Sequence, residues 1–209
     1  MTDPIKNIIF DLGGVLVGFD SRRSIGAFNG LGCEKVSKYI EEHRTEDLFY
    51  RIEFGISTTQ EFCEEVRQMT ATTAPDEAIV DAWNALLTPV TQARRQQLHA
   101  LREAGYRLFL LSNTNDMHWQ LCRPQLEGCF RRAFLSYQMR LAKPDMAIFS
   151  EVLQQAGIEA GETLFIDDNA DNVAAAGTLG IQTFINRSID DWMRETAILT
   201  RNDIGRDRE

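Results

Sequence analysis

No run in this 209-residue chain approaches the ~20 consecutive apolar residues that a membrane-spanning helix needs. A secretory signal is not expected either, because the apolar run Ile8-Ile9-Phe10 is cut short by Asp11. Sustained basic segments are missing too: 22 Lys and Arg stand against 31 Asp and Glu, for a net charge of -9. That balance speaks against nucleic acid and anionic membrane surfaces as partners. It leaves room for a phosphorylated substrate, since a metal and one or two local cations reverse the field inside a cleft. Cysteine is scarce. Cys33, Cys63, Cys122 and Cys129 show no CxxC spacing and read as buried, reduced thiols of a cytoplasmic protein. Internal repeats and low-complexity segments are also absent.

What is present is the composition of an ordinary globular domain, 44% hydrophobic and 25% charged, sized for one domain or a core with a modest insertion. Four short apolar runs, at 7–10, 107–111, 163–166 and 182–185, read as strands, with a weaker fifth at 133–136. They are near-continuously apolar rather than alternating, as parallel strands buried on both faces must be. Between them lie helical patterns. One spans 90–104, with Arg94 the exception on its apolar face. Another spans 145–156, with Met146, Phe149, Val152, Leu153 and Ala156 on one face and Gly157 as its stop. A third runs from 172 to 179. Strand and helix alternate from residue 89 onward, so the expected fold is α/β, a doubly wound parallel sheet.

The first strand meets its partner only after almost a hundred residues. The stretch 18–88 shows helical signals alone, one marked by Val36, Tyr39 and Ile40 and another by Leu48, Phe49 and Ile52. Thr58 with Glu61 forms a capping-box pattern ahead of Phe62, Val66 and Met69, and Ile79, Trp83, Leu86 and Leu87 mark a fourth helix. The expected organisation is a core of residues 1–17 and 89–209 with a four-helix cap of residues 18–88. The polar tail 201–209 is expected to fray.

Three strand ends carry polar residues suited to phosphoryl transfer. IIFDLGGVL places Asp11 at the end of the first strand, LFLLSNTN places Ser112, Asn113 and Thr114 at the second, and LFIDDNADN places Asp167 and Asp168 at another. Lys143-Pro144 precedes a helix between the last two. A carboxylate can attack phosphorus to form a mixed anhydride that water hydrolyses. That attack opposes two anions, so it calls for a hard divalent cation on carboxylates and a carbonyl, with a lysine and N–H or hydroxyl donors on the remaining oxygens. The acidic pair also has a humbler reading, as the cap of the following helix.

In this order the four motifs resemble the haloacid dehalogenase-like hydrolases, from Ile8 to Ile185, and the helical insertion is similar to that superfamily's small cap. The resemblance implies a Mg2+-dependent phosphatase. Asp11 corresponds to the nucleophile, Ser112, Asn113 and Lys143 to phosphoryl-binding residues, and Asp11, the Gly13 carbonyl, Asp168 and Asp167 to the metal site. FDLGGVLV, LLSNTN, AKPDMAIF and DDNADN resemble a subgroup typified by α-D-glucose-1-phosphate phosphatase, so a small sugar phosphate is the expected partner. One position departs from the family: Gly13 stands where most of its phosphatases carry a second Asp, the proton donor to the leaving group. The loss favours esters whose leaving group needs little protonation, such as sugar 1-phosphates, unless Glu46 or Asp47 supplies an acid from the cap.

Other residues carry weaker signals. His43 and His99 read as surface or core-edge residues, and His118, four residues past Thr114 and within reach of the cleft, is not expected to serve it. Trp83, Trp119 and Trp192 read as packing, and Arg22, Arg23, Arg44 and Arg51 as largely solvated. Three competing functions remain: a 2-haloacid dehalogenase, which needs no acidic pair; a non-catalytic phosphoryl-binding module; and a phosphomutase, which needs the missing acid more than a hydrolase does.

Overall fold

The computed structural model describes residues 4–42 and 48–203, with backbone only from residue 200 onward. His43, Arg44, Glu46, Asp47 and the last six residues of the tail lie outside the described residues. Five parallel strands form one sheet in the order β3-β2-β1-β4-β5. They are β1 (Asn7–Phe10), β2 (Arg107–Ser112), β3 (Arg132–Leu135), β4 (Thr163–Asp167) and β5 (Gln182–Ile185). The weak fifth run is thus a true strand, at the sheet edge beside β2.

Alternation along β1 explains the two-sided packing. Ile8 and Phe10 join Leu108, Leu110 and Ile166 on one face, while Ile9 joins Phe109, Leu111 and Phe165 on the other. Helices cover both faces, so each of these side chains is buried, at roughly 1.5–3 kcal/mol apiece.

Between β1 and β2 the described residues form α1 (Ser21–Gly30), α2 (Glu34–Glu41), α3 (Leu48–Glu53), α4 (Thr59–Thr70) and α5 (Asp76–Asn84), followed by α6 (Gln92–Glu103). The four helices expected in this insertion are α2 to α5, and α1 is a fifth. Its sequence SRRSIGAFNG offers few large apolar residues and two glycines, so periodicity was a poor guide. It is held instead by buried Phe28 and by Ser24, whose hydroxyl donates to the Ala82 carbonyl at 2.7 Å. The insertion has its own apolar cluster, which includes Phe28, Phe49, Phe62 and Trp83 and touches the rest of the chain through Met117. The capping box on α4 is present in both directions.

The remaining helices are α7 (Asp116–Cys122), α8 (Ser136–Met139), α9 (Met146–Ala156), α10 (Ala170–Thr178) and α11 (Asp191–Asp203). Arg94, the misfit on the apolar face of α6, is buried: its guanidinium donates to Asp190 at 2.8 Å and to the Leu16 carbonyl at 3.1 Å. Met146, expected on the inner face of α9, is 52% exposed, and its sulfur accepts from the Thr178 hydroxyl at 3.3 Å. Asn169, rather than either aspartate before it, caps α10 by accepting from the amides of Asp171 and Asn172.

Candidate active site

Parallel register makes the strand ends level. Phe10 pairs with Leu110 on one side and Ile166 on the other, so Asp11, Leu111 and Asp167 emerge side by side at the carboxyl edge. This is where strand order reverses and where such sheets bind ligands. The Asp11 amide donates to the Ile166 carbonyl at 2.9 Å, extending the ladder one residue past β1.

Lys143 is the electrostatic centre. Its ammonium lies 2.8 Å from Asp11 Oδ1 and 2.6 Å from Asp167 Oδ2, and donates to the Leu111 carbonyl at 3.1 Å. Burial works against its charge, but Asp11 and Asp167 outweigh that cost and hold its pKa above the ordinary lysine value. Burial also pushes Asp11 up to about 6; Lys143 opposes the shift and Asp167 adds to it. Carboxylate oxygens of Asp11, Asp167 and Asp168 all lie within 4.8 Å of one another. Three carboxylates against one ammonium leave the cleft negative, a field suited to a cation.

The two adjacent aspartates are not equivalent. Asp167 is fully buried, and both of its oxygens already accept bonds, from Lys143, the Asn169 amide and the Asn172 side chain. Asp168 is exposed, and its carboxyl is raised by burial of its inner side and by Asp167. Gly14, at φ 69°, passes so close to the Asp168 carboxylate that a Cβ there would collide with it. Gly13 makes a different contact, beneath the ring of Phe19. Among the described residues no hydrogen bond ends on the Gly13 carbonyl. The loop is braced from behind, where Asn186 donates to the Gly14 carbonyl at 2.8 Å and the Trp192 indole to that of Val15 at 3.0 Å.

Ser112 ends β2 and Asn113 follows it into the same cleft, where the Asn113 side chain is engaged by Lys143. Its amide nitrogen donates to the Lys143 carbonyl at 2.8 Å and its oxygen accepts from the Lys143 amide at 2.9 Å, a two-point clamp on the lysine backbone. Ser112 Oγ reaches only the neighbouring Asn113 carbonyl, at 3.5 Å, and is the less committed donor.

Asp11, Gly13, Ser112, Asn113, Lys143 and Asp168 line a cleft of about 250 Å³, which Phe19, Glu53, Trp83, Leu86 and Leu87 close from the insertion side. His118 lines it too, buried and stacked on Trp83 at 4.9 Å. Burial lowers its pKa to about 4. Arg51 instead pairs with Glu65, Arg22 with Asp20, and Arg23 donates to the Leu87 carbonyl. The residue missed from sequence is Glu53. It lies four positions beyond buried Phe49 and next to Ile52, so an acid falls on the inner face of α3, and that misfit was the available signal. Burial pushes its carboxyl up to about 7.

A family model described as haloacid dehalogenase-like hydrolase matches residues 5–180. The chain is 29% identical over 204 residues to a D-ribitol-5-phosphate phosphatase of Bacteroides thetaiotaomicron, covering 93% of this chain and 98% of that one. A solved structure of a HAD family enzyme from the same organism, in complex with magnesium and inorganic phosphate, superposes with a TM-score of 0.81 at 38% identity, covering 87% and 93% of the two chains. A HAD-like family hydrolase from Porphyromonas gingivalis gives a TM-score of 0.85 at 33% identity, covering 95% and 99%.

Proposed function

The chain belongs to the haloacid dehalogenase-like hydrolases, and from that premise we propose that it hydrolyses phosphate monoesters of small sugars or polyols through an aspartyl-phosphate on Asp11. The observation that carries this reading is the Asp11–Lys143–Asp167 chain, with Asp168 completing a carboxylate cluster at the strand ends. Likeness to the ribitol-phosphate enzyme supports the substrate class.

The donor set fits Mg2+, a hard cation that prefers carboxylate oxygen and keeps several waters. Asp11, Asp168 and the Gly13 carbonyl are the groups free to hold it, with Asp167 contributing through water because its oxygens are occupied. When bound, the ion neutralises phosphoryl charge and draws Asp11 to its anionic form. The Asp11 carboxylate attacks phosphorus. Lys143 and the donors of Ser112 and the Asn113 backbone hold the phosphoryl oxygens, and the clamp on Lys143 keeps that ammonium from following the substrate. Residues 18–88 act as a cap on a core of 1–17 and 89–209, and choose the leaving group. The cytoplasm suits four free, buried cysteines, and no helix among the described residues is long and apolar enough to cross a membrane.

The test is a panel of sugar and polyol phosphates, with and without Mg2+. Release of phosphate only in the presence of the metal supports the reading. Metal-independent halide release from 2-chloropropionate, with no ester hydrolysed, overturns it in favour of a dehalogenase.

A further inference from the structure

Glu53 enters the cleft from α3 with no hydrogen-bond or ion-pair partner on its carboxyl among the described residues. Its backbone is firmly placed. The Ser136 hydroxyl donates to the Glu53 carbonyl at 2.7 Å and accepts from the Thr114 amide at 3.0 Å, which ties the end of α3 to the loop that follows β2. Two residues on, Gly55 at φ 64° lies against the Tyr137 carbonyl so closely that a side chain there is impossible. The insertion is therefore pinned to the strand ends next to Glu53. Gly13, also in the lining, offers no proton donor, and the Phe19 ring fills the space where one would project.

Resting on the phosphatase reading above, we propose that Glu53 is the acid–base catalytic residue of this enzyme, supplied by the insertion in place of a side chain at position 13. As Asp11 attacks phosphorus and the ester P–O bond breaks, the Glu53 carboxyl gives its proton to the departing oxygen and becomes a carboxylate. Water then attacks the aspartyl-phosphate and passes a proton back to Glu53, releasing inorganic phosphate and restoring both residues. A carboxyl lifted toward neutrality by burial is protonated often enough for the first step and basic enough for the second.

The experiment measures kcat/KM with Mg2+ for wild type and Glu53→Gln on three probes: D-ribitol 5-phosphate, propyl phosphate and 4-nitrophenyl phosphate. Both alkyl esters need a protonated leaving group, whereas nitrophenolate leaves unaided. The expected result is a loss of ~100-fold or more on both alkyl esters and less than about tenfold on the nitrophenyl ester, mainly in kcat. Loss confined to the ribitol ester assigns Glu53 to hydroxyl recognition and overturns the proposal, as does an equal loss, or none, on all three. Wild-type inactivity on every probe overturns the phosphatase reading and this inference with it. A series of aryl phosphates on the wild type decides the matter even if the variant fails to fold. A rate nearly independent of leaving-group pKa supports the proposal, and a steep dependence overturns it.

Discussion

The Phe19 ring lies over Gly13 where a side chain would go, its Cε2 2.7 Å from the position of a Cβ and its Cζ closer still. Phe19 is 58% exposed, so the ring can swing into solvent if it is pushed. The bias toward sugar 1-phosphates expected from Gly13 holds for a cleft without an acid, and the role proposed for Glu53 would remove that condition. Gly13→Asp with Phe19→Ala should therefore raise kcat on propyl phosphate by no more than about threefold in the parent, but by about tenfold or more in a Glu53→Gln background. Similar gains in both backgrounds would show that position 13 and Glu53 do not share a task.

Asp11→Asn keeps the shape of the side chain and removes its nucleophilicity. Steady-state turnover should fall below about a hundredth of the parent, while the fold survives because Asp167 still pairs with Lys143. Mass spectrometry of the assayed sample checks for deamidation back to Asp. Turnover above that level from an intact Asn would sink the assignment.

The two aspartates after β4 should separate in their effects. Asp168→Ala should weaken Mg2+ binding by about tenfold or more while costing little stability, since its carboxyl is exposed and partly repelled by Asp167. Asp167→Ala should do the reverse. It strips Lys143 and Asn172 of a buried partner, at a cost of about 3–5 kcal/mol, with a smaller change in metal affinity. Calorimetric titration of Mg2+ and urea denaturation on both variants read the crossing, and matching profiles would refute it.

His118 should make the protein acid-sensitive. Its Nδ1 accepts from the Asn115 side-chain amide at 3.2 Å, because the Asn115 oxygen is already taken by the His118 amide, and that contact leaves the ring proton on Nε2. Buried and neutral, it has a pKa near 4 when folded against 6.5 as its ordinary value. Between those values the unfolded chain binds more protons, so stability rises with pH across the window and is lost as pH falls through it. The full loss is about 3 kcal/mol. Urea denaturation at pH 7.5 and pH 4.5 should show a smaller drop for His118→Phe than for the parent, and an equal drop would exclude His118 as the source.

The sheet and the level strand ends were legible in sequence because local chemistry determines them. Buried parallel strands must be continuously apolar, so the first polar residue after each run marks an end of the sheet. Asp11, Ser112 and Asp167 are those residues. The same logic failed for α1, whose stability comes from the Ser24 bond and from packing rather than from its own pattern.

Sequence by itself determined which residues stand at the strand ends, because spacing along one chain sets which side chains a strand presents where its apolar run stops. Only the tertiary structure decided what those residues do to one another. It spent both oxygens of Asp167 on Lys143 and Asn172 and left Asp168 open, and it set the Asn113 side chain on the lysine backbone. It also brought Glu53 over the cleft, a residue whose own sequence context names no ligand. The reason is distance along the chain. Glu53 reaches the cleft because Ser136, 83 residues later, holds its carbonyl, and neither periodicity nor spacing records a contact between residues so far apart.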